Sequence, residues 1–164
     1  MICTIEPTQD FERITEILTD DEMWPRISED GQNKEDFVIT ENNGFLWFGV
    51  FSERGEMVGL FFFHYLNLST FQAHIHILEK YRKDYSKCSI VGMLEYFTDK
   101  IDSRVNKIVL EIPVIYQDVY HFAKKYGFED EGVNKESILK NGSFVDQYRL
   151  GLTRSEAIKW LQQQ

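Results

Sequence analysis

Two hydrophobic rhythms alternate along the chain, and the points where one replaces the other mark its elements. The opening run "MICTIE" reads as a strand that Pro7 ends. In "TQDFERITEILTD", Phe11, Ile14 and Ile17 or Leu18 recur at helical spacing, and Thr8 can cap the helix. A further short helical piece is expected within residues 21–36, where the polar, turn-rich "SEDGQNKED" follows. "FLWFGVFSERGEMVGLFFFHYL" is two apolar runs around "SERGE", the signature of a hairpin. Alternation sends Phe61 and Phe63 to one face and Phe62 and His64 to the other, so the aromatic run reads as core packing rather than a stacking platform. "TFQAHIHILE" makes a third strand, with Ala73, Ile75 and Ile77 on one face and His74 and His76 on the other.

The second half begins with a helical pattern, "SKCSIVGMLEYFTDKI". Its Ile90, Leu94, Phe97 and Ile101 share one face, and Ser86 is a natural N-cap. "NKIVLEIPV" is near-continuously apolar, as a strand covered on both faces should be. "YQDVYHFAKKYGF" is an amphipathic helix stopped at Gly127. "FEDEGVNKESILKNGSFVDQYRLGLT" supplies two strands turning near Asn141-Gly142. "TRSEAIKWLQQQ" is a last helix, capped by Thr153 or Ser155 and docked through Ala157, Trp160 and Leu161. The order predicts an α+β fold: a mixed, mostly antiparallel central sheet with one parallel crossover over residues 73–112, flanked by helices and forming one domain, 1–164.

Composition narrows the function. A 164-residue chain with 43% hydrophobic and 15% aromatic residues can bury a real core. Its formal net charge of -9 argues against general nucleic-acid binding. The longest apolar run, "MVGLFFFHYL", is too short to span a bilayer, and "MICTIEPTQDF" lacks the features of a secretory leader. Cys3 and Cys88 lie far apart without metal-like spacing and read as two reduced thiols of a cytoplasmic protein. His64, His74 and His76 could suggest a metal, but zinc would want converging ligands and usually an acidic or thiolate partner, so no metal is expected.

The chemistry-bearing stretch is "YRKDYSK", Tyr81 to Lys87, between a strand pattern and a helix pattern. It reads either as a phosphate-gripping loop or as the solvated start of a helix. Arg82, Lys83 and Lys87 supply cations, and Ser86 can cap the helix or donate to an oxygen.

From "AHIHILEKYRKDYSK" through "KIVLEIPVIYQDVYHFAKKYGFEDEG" the chain resembles the GNAT superfamily of N-acetyltransferases, including small divergent members carried by bacteriophages. The resemblance implies acetyl-CoA bound in a V-shaped opening between the strands ending near Leu78 and Val114. The pantetheine arm would pair with backbone at Ile77 and Leu78, and the diphosphate would rest on Arg82, Lys83, Tyr85, Ser86 and Lys87, with Tyr116 nearby. It implies attack of a primary amine on a thioester; Glu111 and His76 are the candidate bases, and Tyr120 or Tyr116 could stand in geometrically as the acid. The partners implied are a small-molecule or protein amine acceptor and, in some arrangements, a second copy of the chain; neither nucleic acid nor a membrane is expected.

The chain departs from the family pattern in two places. The loop's two glycines are replaced by Tyr85 and Lys87, or by Asp84 and Ser86 if one residue is deleted. Ala123 stands where the family often has its acidic tyrosine, and Tyr116 where it often has asparagine. These departures motivate an alternative, a non-catalytic GNAT-fold binding or structural module of the kind that serves as a virion component.

Overall fold

A computed structural model describes residues 2–41 and 44–164; Met1 of the predicted first strand lies outside them. Seven strands form a mixed, mostly antiparallel sheet in the order β1-β2-β3-β4-β5-β7-β6, and its helices flank it as the sequence pattern predicts. The elements are β1 (Thr4–Pro7), α1 (Phe11–Leu18), α2 (Trp24–Ile27), β2 (Leu46–Phe51), β3 (Met57–Asn67), β4 (Thr70–Ile77), α3 (Glu79–Asp99), β5 (Lys107–Pro113), α4 (Gln117–Lys125), β6 (Glu129–Lys140), β7 (Ser143–Thr153) and α5 (Arg154–Leu161). No helix among the described residues is long and apolar enough to cross a membrane. The chain divides into two compact units, Met1–His64 with His74–Met93, and Tyr65–Ala73 with Leu94–Gln164.

In the first unit, β1 pairs antiparallel with β2, and β2 with β3. The predicted alternation holds: Phe61 and Phe63 join Phe48 on one side, while Phe62 stacks on His74 with ring centroids 4.4 Å apart on the other. Ile14, Ile17 and Leu18 of α1 pack with Trp47, Leu60 and Phe62. The α1 cap is Asp10, whose carboxylate accepts from the Arg13 amide at 3.0 Å. Thr8 acts one step back, its hydroxyl oxygen accepting from the Asp10 amide. The helical piece expected in 21–36 is α2 plus a single 3₁₀ turn, Lys34–Asp36.

Two expectations are corrected in this unit. Cys3 and Cys88 are not separate thiols but a disulfide with Cα atoms 6.0 Å apart. Sequence distance hid the pair, because residues 85 apart are brought together only when β1 lies against α3. The second correction concerns Ser86. Helix α3 starts at Glu79, so Ser86 lies two turns inside it and cannot be its N-cap. Without glycine, nothing in "EKYRKDYSK" favours leaving right-handed helical space, and the helix runs back to the end of β4.

In the second unit, β4 and β5 pair in parallel over Thr70↔Lys107, Phe71↔Ile108 and Gln72↔Val109. β5 pairs with β7, and β7 with β6, both antiparallel. Asn141 and Gly142 both take positive φ, 53° and 78°, as a tight two-residue hairpin turn requires. Gly127 ends α4 at φ 90°, with Trp160 of α5 packed so close that a Cβ there would meet its ring at 3.0 Å. Thr153 and Glu156 complete a reciprocal capping box at the start of α5.

Arg154 ties this unit together. Its guanidinium donates to the carbonyls of Phe97, Thr98, Ile101, Asp102 and Val105 and lies over the Phe97 ring. The bare C-terminal carbonyls of α3 thereby gain donors, and the cation meets the negative end of that helix.

Candidate functional site

The residues expected to hold a cofactor lie on the first unit, at the end of β4 and the start of α3. The Ile77 carbonyl accepts a hydrogen bond from Arg82 Nε at 3.1 Å. The Leu78 amide donates to the Val58 carbonyl at 3.1 Å. The two backbone groups expected to clasp a pantetheine arm therefore already have partners within the protein.

The stretch expected to grip phosphate, Tyr81 to Lys87, is helix from end to end. In an α-helix only the first four amides lack an intrahelical acceptor, here those of Glu79 to Arg82. The Tyr81 amide already donates to the Leu78 carbonyl at 2.8 Å. The amides of Lys83 to Lys87 are spent on the helix itself. Lys83 and Lys87 are exposed cations, and Ser86 and Arg82 are half-buried. Tyr85 is buried at 7% exposure and meets Tyr81 edge-to-face. What the segment offers an anion is therefore side-chain charge, not a backbone cradle. It also carries opposing charge: the Glu79 carboxylate hydrogen-bonds Glu22 and raises the Glu22 carboxyl above the ordinary carboxylate range.

Beside these residues the same unit presents a wall of rings. Phe45, Phe62 and His64 meet in sequence, and His64, His74 and His76 continue as a near-parallel stack. Burial pushes the His74 imidazole down to about 3 and that of His76 to about 4; His76 and His64 add to the first shift, and Arg82 to the second. Both rings are neutral at neutral pH, because a charged imidazole here would lose its water without gaining a counter-ion. A base with so low a pKa is weak, which removes the reason for singling out His76 as a base, namely a pKa near neutrality. Among the described residues no three His, Cys, Asp or Glu side chains converge so as to hold a metal ion.

The other candidates lie on the second unit. Glu111 is held by Arg149, whose Nη1 donates to its Oε1 at 3.1 Å. Tyr120 donates to Asp130 at 2.9 Å, and Lys124 donates to the same carboxylate at 2.8 Å. The Asp130 hydrogen bond raises the Tyr120 hydroxyl above the ordinary phenol value. The Tyr120 ring rests 4.5 Å from Tyr148, whose hydroxyl accepts from Gln117. Tyr116 is the residue before α4, with the Lys140 ammonium over its ring.

Strand geometry separates two of these candidates. Arg149, the partner of Glu111, and Tyr148, the partner of Tyr120, are adjacent on β7 and so point to opposite faces. Glu111 and Tyr120 therefore lie on opposite faces of the sheet. Arg149, Asp130, Lys124 and Tyr148 were not singled out in the sequence. Each gains its place only from strand register or from the turn between α4 and β6, which periodicity does not report.

No protein-family model matches the chain, and no curated protein sequence matches it. Solved structures do. A spermidine N-acetyltransferase of Vibrio cholerae in complex with CoA and spermine superposes with a TM-score of 0.80 at 18% identity, over 95% of this chain and 98% of that one. A chimera of the Vibrio cholerae enzyme and hSSAT gives 0.80 at 19% identity, over 96% and 99%. Mutant forms of the Vibrio cholerae spermidine/spermine N-acetyltransferase give 0.77 at 20% identity, over 96% of each chain. At these identities the likeness establishes the fold: this chain has the fold of those acetyltransferases along nearly its whole length.

Proposed function

We propose that the chain is an N-acetyltransferase, a single catalytic domain that moves an acetyl group from acetyl-CoA to a primary amine. The observation that carries this reading is the end-to-end fold likeness to acetyltransferases, one of them holding CoA and spermine. The likeness gives no support to the non-catalytic alternative. Cytoplasmic residence belongs to the proposal, and a virion-associated setting is its alternative.

The acceptor is a polyamine-like cation. The protein is acidic overall, and the segment after α1 carries Asp20, Asp21 and Glu22 in succession. In the same unit His74 and His76 are uncharged, so they add aromatic surface without repelling an ammonium group.

Cofactor binding rests on charge. Arg82 is half-buried and bonded to Ile77, so it must exchange that carbonyl for phosphate oxygen, which frees the β4 backbone at the same moment. Lys83 and Lys87 add charge from the same helix. In the chemical step the amine nitrogen attacks the thioester carbonyl, the C–S bond breaks, and the amine's proton is lost as the departing thiolate gains one. Glu111, fixed by Arg149, takes the amine's proton, and the departing thiolate takes its proton from solvent, since Tyr120 lies on the other face of the sheet with its hydroxyl held by Asp130.

Calorimetric titration of acetyl-CoA tests the proposal. Binding in the micromolar range should weaken at least about tenfold, some 1.4 kcal/mol, in the Arg82→Ala/Lys87→Ala variant. Free thiol should appear when spermidine is added to the native chain with acetyl-CoA, faster than with an acidic amine. Absence of binding at millimolar acetyl-CoA would overturn the reading.

A further inference from the structure

The segment around β1 is fastened to α3 at two points that share one geometry. Cys3 and Ile5 are two residues apart and so lie on the same side of an extended chain. Cys88 and Gly92 are four residues apart and so lie on the same side of the helix. Cys3 is bonded to Cys88, and Ile5 fills the space over Gly92, where an added Cβ would meet Ile5 Cγ1 at 2.7 Å. One contact is covalent and the other is a side chain seated in a notch only glycine leaves open.

Apart from these two points β1 is held weakly. It has four residues, pairs on one side only, with β2, and both cysteines are half-buried rather than sealed in the core. The helix it grips is the one that carries Arg82, Lys83 and Lys87 within the two turns before Cys88. We infer that the Cys3–Cys88 pair is a reversible redox strap: oxidised, it binds β1 to α3 and stiffens the cation-bearing turns of that helix; reduced, it lets β1 detach. The inference does not depend on acetyl transfer.

The reaction is thiol–disulfide exchange with a small-molecule disulfide such as oxidised glutathione. One protein thiolate attacks a glutathione sulfur, forming a mixed disulfide and expelling one glutathione thiolate. The second protein thiolate attacks the mixed disulfide, closes the Cys3–Cys88 bond and expels the other. Two protein thiols are oxidised by two electrons, one glutathione disulfide is reduced to two thiols, and the two protons pass to the released glutathione.

The full chain is equilibrated across a range of reduced-to-oxidised glutathione ratios, alkylated, and weighed by mass spectrometry, with amide hydrogen exchange followed in parallel. The expected result is a single transition in which both thiols appear together. Across it, exchange at Thr4–Pro7 should rise about tenfold or more and exchange at Arg82–Cys88 should rise detectably, with α4 and α5 unchanged. Reduction should lower the melting temperature by about 10 °C, because the bond closes a long loop. The Cys3→Ser/Cys88→Ser variant should melt at the reduced protein's temperature and ignore reductant. Gly92→Ala should demand about fivefold more oxidant for half-closure, since Ile5 loses its seat. A bond that survives every glutathione ratio, a mixed disulfide that never closes, or reduction that leaves β1 exchange unchanged would each overturn the strap.

Discussion

In the first unit, His74 and His76 lie among Phe62, His64 and each other, and burial keeps both imidazoles neutral. In the second, Glu111 faces Arg149, Asp130 receives Lys124, Glu131 pairs with Lys107, and Arg154 spreads its charge over five carbonyl oxygens. The two stacked histidines of the first unit are buried in the neutral form, whereas these groups of the second are each given a partner. The two strategies fail differently. A discharged histidine is lost when acid forces a proton onto it, and a paired ion when its partner is removed.

Removing a partner should have the largest effect. Arg154→Ala strips donors from several half-buried carbonyls at once and should cost about 3 kcal/mol, measured by denaturant unfolding. A loss below about 1 kcal/mol would mean that water replaces the guanidinium freely, and the contrast between the units would weaken.

Acid tests the other strategy. The folded pKa of His74 lies below its unfolded value near 6.5, so the unfolded chain binds more protons between the two. The neutral imidazole's contribution is complete above pH 6.5 and is lost as pH falls towards the folded value of about 3. His76 behaves in the same way, so unfolding free energy should drop by about 2 kcal/mol for each of the two histidines between pH 7 and pH 4.5. His74→Phe should roughly halve that slope, leaving the His76 share, while keeping the stack on Phe62. An equally steep slope in the variant would place the acid sensitivity elsewhere.

Smaller effects sharpen the contrast. Ser89 is fully buried on α3, and its hydroxyl has no hydrogen-bond partner among the described residues. Ser89→Ala should therefore stabilise the protein by about 1 kcal/mol, visible as a rise in melting temperature. Lys124→Ala removes an ion pair that is well exposed to water and should shift stability by less than about 0.5 kcal/mol. It should also raise the Tyr120 pKa slightly, because the nearby ammonium that lowers it is gone while Asp130 remains to accept from the hydroxyl.

Much of the fold was legible because its elements announce themselves locally. The Phe61–His64 alternation, the buried face of Ile90, Leu94 and Phe97, the Asn141-Gly142 turn and the Thr153 cap all follow from periods and turn chemistry within a few residues. The start of α3 was misplaced because a serine and a charged run resemble a cap and a loop, whereas the absence of glycine was the stronger signal. The disulfide and the Glu111–Arg149 pair were illegible, since both depend on long-range register. Residues of the candidate site could be named from the resemblance, but which faces they occupy could not.

The two outermost strands carry one last consequence. β1 is short and contains Pro7, which offers no amide to a passing chain. β6 is long, but Glu129, Asp130, Glu131, Lys135 and Glu136 line it, and its pairing is interrupted twice, near Gly132 and between Asn134 and Ile138. Neither margin is the smooth apolar ribbon on which foreign backbone could lay down another row, so concentrated solutions of this protein should resist fibrillar growth.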